Sequence, residues 1–242
     1  SEAKSFYTPY DGDAVNLSRG GTANCYIVPP VYSDYVFNAS VKGNSNESVG
    51  EIASVEVLWE TRNTSSAIEV GDVIESVSLE GNNIFFRLPY EPKPGNALIA
   101  VKDAMGTILW SWHIWVTDTP KEQLYNYNYW LLDRNLGAVS ADHGTGEQWK
   151  LSTGFLYQRY RKDPFAGGTG FTYEHAYYSM ESSVAHPMVY DEGWNYGYEC
   201  WSQVEKSIYD PCPVGYRVAF DYVWNGVQVS EPVERHGAYF YF

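Results

Sequence analysis

Nine residues, Ile108-Leu-Trp-Ser-Trp-His-Ile-Trp-Val116, limit the fold more than any other stretch of this chain. They carry three tryptophans, no turn residue and no helical periodicity, so they read as a strand. Alternation with a period of two puts Trp110, Trp112, Ile114 and Val116 on one face and Ser111, His113 and Trp115 on the other. The first set is a core face. His113 reads as a ligand or as a partly buried, hydrogen-bonded residue, and the second is the commoner fate of a lone strand histidine.

The same grammar runs back to Ala23. Asn24–Val28 ends at a Pro-Pro break, and Tyr35–Val41 alternates apolar with small or polar positions. Val55–Trp59 and Val73–Leu79 follow. Gly81-Asn-Asn83 tolerates positive φ, so Ile84–Leu88 folds back behind it as a hairpin. Asn96–Val101 precedes a turn at Asp103-Ala-Met-Gly106, which leads into the tryptophan strand. Short strands at this spacing point to a β-sandwich of immunoglobulin-like or transthyretin-like type over 23–118, after an N-terminal extension at 1–22. Asp118-Thr-Pro-Lys-Glu122 reads as a linker. Beyond it, 119–242 is richer in Gly, Tyr and Trp, with one short helix expected at Ser202–Ser207. The whole is mainly β: a sandwich followed by a loop-rich, lectin-like α+β domain.

Charge narrows the partners. Thirty acidic against 16 basic side chains leave a formal net of -14. That surface repels nucleic-acid backbones and anionic headgroups, so a neutral or basic partner is expected and heparin or DNA is not. No apolar run approaches the roughly 18 residues of a membrane span. Tyrosine alone, at 22 residues, outnumbers Lys plus Arg. Rings at that density serve half-buried sheet positions or exposed contact surfaces.

Signals for catalysis are weak. Gly167-Gly-Thr-Gly170 lacks the lysine and spacing of a phosphate loop. Asp11-Gly-Asp13 starts like a calcium loop, but Val15 offers no oxygen where one is required. The histidines at 113, 143, 175, 186 and 236 never fall at metal-binding spacing, and no Gly-x-Ser-x-Gly elbow occurs. Carboxylate pairs are made in space rather than in sequence, which keeps a glycan-cleaving enzyme as a third class. No enzyme, no cofactor and no metal are expected.

Three segments carry a family signature: Leu132-Asp-Arg-Asn-Leu-Gly-Ala138, Tyr157-Gln-Arg-Tyr-Arg-Lys-Asp-Pro-Phe165 and Tyr209-Asp-Pro-Cys-Pro-Val-Gly-Tyr-Arg-Val218. In that order and spacing they resemble the FISUMP domain of secreted lipoproteins and fimbrillin-like proteins from anaerobic gut and oral bacteria. Ala219 stands where the family usually has proline. Thr22–Val28, Val41–Asn44, Gly71–Ile74 and Ala97–Asp103 are similar to the sandwich domain that precedes such modules. The resemblance implies an exported protein, at the cell surface, outer membrane-anchored or fimbrial. It implies a non-enzymatic adhesion or structural module whose partners are other pilus or surface proteins. The alternative is a surface or periplasmic binder of host or dietary glycan.

Candidate site residues follow from both lines of reasoning. Trp194, Asn195, Tyr196, Tyr198 and Trp201 mix flat apolar faces with an amide, as sugar sites do; the other reading packs these rings into the core. Arg159, Arg161 and Lys162 form an anion-site candidate, or pair with carboxylates to pin loops. Pro211 and Pro213 flank Cys212 in a rigid bend that ends at Gly215. In the exported setting that the resemblance implies, Cys200 and Cys212 are expected to form a disulfide, with Cys25 left as a buried thiol. Such domains usually continue past an aromatic run like His236–Phe242, so the chain is expected to be incomplete there.

Overall fold

The computed structural model describes residues 14–62, 71–125, 129–142, 145–166, 172–192, 198–202, 204–219 and 223. The chain is mainly β. Eight strands lie before residue 118: β1 (Val15–Asn16), β2 (Cys25–Val28), β3 (Asp34–Asn38), β4 (Ser54–Thr61), β5 (Ser76–Glu80), β6 (Asn83–Arg87), β7 (Gly95–Lys102) and β8 (Ile108–Val116). They form two four-stranded sheets, ordered β1-β3-β6-β5 and β2-β8-β7-β4. Pairing is antiparallel except at one edge of each sheet, where β1 runs parallel to β3 and β2 parallel to β8. Val15 and Asn16, expected in an extension, therefore belong to a sheet.

Local chemistry explains the register. Gly81 takes φ +60° in the two-residue link between β5 and β6, which sets Leu79 opposite Ile84. In the β7–β8 turn, the Asp103 carboxylate accepts the N–H groups of Met105 and Thr107 at 2.9 and 2.8 Å. An aspartate folded onto its own turn in this way is a common device for reversing a strand. Residues 73 and 74, read as strand, instead donate their N–H groups to the buried Glu60 carboxylate at 2.8 and 3.2 Å. Gly71 donates to the same carboxylate at 2.9 Å.

The sheets share one core. Tyr35, Phe37, Ile84 and Phe86 from the first pack with Tyr26, Ile99, Trp110, Trp112 and Ile114 from the second. Phe37 and Trp112 lie with ring centroids 5.3 Å apart. Burying each such side chain contributes about 1.5–3 kcal/mol, so this layer holds the first half together.

Beyond residue 118 every element is short. The hairpin β9 (Glu122–Tyr125) and β10 (Tyr129–Leu132) is followed by α1 (Glu147–Ser152), then by β11 (Leu156–Tyr157) paired with β12 (Pro164–Phe165). Next come β13 (Thr172–Tyr173), α2 (Met180–Ala185) and β14 (Val189–Tyr190), with β13 and β14 parallel, and a 3-10 turn at Tyr198–Trp201. The helix expected at 202–207 is not formed. Ser202 turns its hydroxyl onto the N–H of Val204 at 3.2 Å, and Lys206 is drawn into the bend that follows. The helix α2 begins where Ser179 accepts from the N–H of Ser182, an ordinary N-cap.

Among the described residues the second half has one small cluster of its own, Tyr160, Met180 and Cys200, and otherwise packs on the second sheet. Trp59 and Leu98 of the second sheet form one cluster with Phe155 and Ala166, against which Tyr157 and Met188 pack. The face bearing Ser111, His113 and Trp115 is thereby buried as well, which is why β7 and β8 are apolar or buried almost throughout.

Candidate functional site

The cap formed by the second half encloses a cavity of about 140 Å³ beside the second sheet. Its floor is Phe155 and Tyr157. Trp130, Leu131 and Leu132 of β10 form one wall, and Arg134 to Leu136 continue it. Pro211 to Pro213, Tyr216 to Ala219 and Trp201 complete the lining. Trp130 is 61% exposed and stands at the rim. The segments 132–138, 157–165 and 209–218 thus all contribute residues to one feature.

Each segment is fixed by its own polar residues. Arg134 donates Nε to Asp133 at 2.8 Å and Nη1 to Asp118 at 2.6 Å, so its charge is spent on the chain itself. That arginine holds the Asp118 carboxyl below its ordinary pKa. Asn135 donates to the carbonyl of Thr153 at 2.9 Å. Gly137 takes φ +81°, and a Cβ there would lie 2.1 Å from a carbon of the Phe155 ring, so only glycine lets the floor ring seat.

Tyr157 is oriented from below. Its hydroxyl is 3.3 Å from His113 Nδ1, while His113 Nε2 lies 2.8 Å from Asn96 Oδ1. Burial pushes the His113 pKa down to about 3, so the imidazole is neutral and structural. Burial raises the Tyr157 phenol and the Cys212 thiol well above their ordinary values, so both stay protonated at neutral pH. The cavity therefore offers flat rings and apolar walls, with neutral hydrogen-bonding groups and two arginines, Arg134 and Arg217, among its lining. Trp201 Nε1 is buried and has no acceptor among the described residues.

The 211–219 part of the lining is a knot built around Asp210. Its Oδ1 accepts from the N–H of Cys212 and from Lys206 Nζ, both at 2.8 Å, and its Oδ2 accepts from the N–H of Val218 at 2.9 Å. Lys206 also donates to the carbonyls of Cys212 and Tyr216 at 2.8 and 2.7 Å. Gly215 takes φ +84° to complete the bend. Asn24 from the first half donates to the carbonyls of Ile208 and Asp210 at 2.7 and 2.9 Å and accepts from Trp110 Nε1 at 2.9 Å.

The sequence candidates scatter. Trp194, Asn195 and Tyr196 lie outside the described residues, as do Tyr239 to Phe242. Tyr198 lies in the 3-10 turn, and Trp201 lines the cavity with its ring 5.9 Å from that of Tyr160. Of the anion-site candidates, Arg161 and Lys162 are buried outside the cavity and bound to the chain. Arg161 donates to Gln158 Oε1 at 3.1 Å and to the carbonyls of Val189, Ser183 and His186, the last two at 2.9 and 2.8 Å. Lys162 Nζ bonds the Ser111 carbonyl and both Asp163 oxygens between 2.7 and 2.9 Å. Burial lowers its pKa to about 8, against the pull of Asp163. Arg159 is exposed, its guanidinium 4.7 Å from the Tyr160 ring centre. The expected disulfide is also absent. Cys25, Cys200 and Cys212 are all thiols; Cys200 packs with Tyr160 and Met180, while Cys212 lines the cavity.

Sequence reasoning missed Trp130, Leu131 and Phe155. They lie just outside the signature segments, next to residues that the signature does name. It also missed a surface patch where Tyr173, 49% exposed, and Tyr177, 77% exposed, flank Glu192. Glu192 Oε1 accepts from the Tyr173 hydroxyl at 3.0 Å and lies 2.7 Å from His175 Nδ1. No family model, curated protein or solved structure matches the chain. The family resemblance rests on its own motif residues.

Proposed function

We propose that this chain is a non-enzymatic cell-surface or pilus-associated adhesion module of the fimbrillin-like, FISUMP-bearing kind, exported and displayed outside the cell. One observation carries this reading: the signature segments Leu132–Ala138, Tyr157–Phe165 and Tyr209–Val218 all contribute to one cavity, with their charged side chains engaged within the chain. Residues that serve a fold in this way support a common domain architecture rather than three chance matches. In finer terms, residues 23–118 form an immunoglobulin- or transthyretin-like sandwich and the remainder a lectin-like α+β cap. The two sheets with a common core support the first, and the short mixed elements support the second. Antibody against the purified chain should label intact bacterial cells, and the purified chain should compete for their adherence. Labelling seen only after permeabilisation overturns the proposal.

Glycan binding is the second reading, favoured by the aromatic lining of the cavity and by the exposed Trp130 at its rim. Flat rings beside a few hydrogen-bonding groups suit a pyranose. Glycan-array binding by the purified chain, weakened at least about tenfold by Trp130→Ala and unchanged by Tyr177→Ala, is the expected result. The reverse pattern moves the sugar site to the Tyr173–Glu192 patch, and an empty array removes it. In either reading, heparin and DNA should not bind at physiological salt.

A further inference from the structure

The edge of the second sheet and the rigid bend meet at two cysteines. Cys25 opens the edge strand β2, and on its open side it pairs with Pro213 in an isolated parallel bridge. Asn24 clamps the same approach through the carbonyls of Ile208 and Asp210. Cys212 is the residue next to Pro213, and its own N–H and carbonyl are fixed by Asp210 and Lys206. One strand spacing and one residue step place the two Cα atoms about 6 Å apart. That separation falls within the roughly 4.4–6.8 Å range of disulfides.

Both thiols also lie within electrostatic reach of one neighbour, the Tyr157 phenol. Charge on Cys25 or on Cys212 would act on the Tyr157 phenol, and Cys25 is among the groups that act on Cys212. Cys200 is not among them and packs in a different cluster, against Tyr160 and Met180.

We infer that Cys25 and Cys212 are a disulfide-forming pair that ties the edge strand to the bend. The structure holds them in the reduced state. Oxidation removes two electrons and two protons from the thiols and forms the Sγ–Sγ bond. A low-molecular-weight or protein disulfide accepts both and leaves as two thiols. The attacking species is a thiolate, and burial raises both thiols in the folded chain. Exchange therefore belongs to folding, before the bend seals over Cys25. Once reduced and folded, the chain should oxidise slowly. The bond is independent of what the cavity binds, so its failure and that of the adhesion reading are separate events.

The test is to unfold and reduce the full chain, refold it with glutathione and glutathione disulfide, alkylate, digest and map the peptides. The expected product links Cys25 to Cys212 and leaves Cys200 alkylated. Cys25→Ser and Cys212→Ser abolish the link, and Cys200→Ser leaves it in place. Reductant should lower the Tm of the oxidised chain by roughly 5–15 °C and leave that of Cys25→Ser unmoved. A Cys200–Cys212 link, or three alkylated thiols after oxidative refolding, overturns the inference. Should the serine variants fail to fold, the map of the unaltered chain decides alone.

Discussion

The paired sheets and the cap that covers them are held by different physics. Between the sheets, apolar rings and aliphatic side chains fill a continuous layer, and Glu60 is a rare buried charge that clamps three backbone N–H groups. In the cap, strands of two to four residues cannot satisfy their own backbone, and buried cations take over that work. Arg161 gathers carbonyls from α2 and β14, Lys206 gathers them around the bend, and Lys162 grips Ser111 on the sheet beneath. A regular sheet tolerates many apolar sequences. A cap held by a few charged hubs depends on particular residues.

That contrast can be broken at the sheets first. Trp112→Ala removes a fully buried ring that packs on Phe37 and should cost about 3–5 kcal/mol. Because the cap rests on the same sheet, both halves should be lost in a single denaturant transition; a surviving cap signal would mean it folds alone. Arg161→Met should cost about 3 kcal/mol by leaving Asp191 buried without its ion pair. Here the damage should stay local. Hydrogen exchange should quicken in α2 and β14 and stay slow in β7 and β8, and equal loss in all four would erase the distinction.

Acid sharpens the comparison at the seam between the halves. The His113 pKa is about 3 in the folded chain, against roughly 6.5 when unfolded, so the unfolded state binds the proton first. This stabilising contribution is complete above pH 6.5 and falls as pH drops toward 3, with about 2 kcal/mol gone at pH 5. His113→Gln should flatten the part of the pH–stability curve between 6.5 and 5, and an unchanged slope there would refute the assignment. The smallest effect is expected at Gly215→Ala, about 1 kcal/mol. A Cβ there meets nothing within 4 Å, so only the left-handed backbone is penalised. A much larger loss would show that the bend tolerates no relaxation.

Legibility followed the same divide. Alternation in Ile108–Val116 placed Trp110, Trp112, Ile114 and Val116 on the core face, where they lie. The same pattern could not say that Ser111, His113 and Trp115 would also be covered, since their cover comes from residues 52, 44 and 23 positions away. Helix signals failed in the cap because α1 and α2 are six residues each, under two turns, too short to show a stripe. The expected helix at 202–207 carried no capping chemistry, and the pull of Lys206 toward Asp210 decides its course instead. The cavity was half visible. Most of its lining lies inside the motifs, with Trp130, Leu131 and Phe155 just outside them, while two of the cations that looked like a binding site, Arg161 and Lys162, are buried fasteners.

The Asn24 clamp joins positions 184 and 186 residues apart along the chain. A ribosome delivers residue 24 early and residues 208–210 late, so the clamp is among the last contacts that can close. Until the residues from 138 to 188 follow, the second sheet presents Trp59, Leu98 and Trp115 bare to its surroundings. A half-made chain therefore offers a broad apolar face to whatever is nearby, and it needs shelter during synthesis that the finished molecule does not.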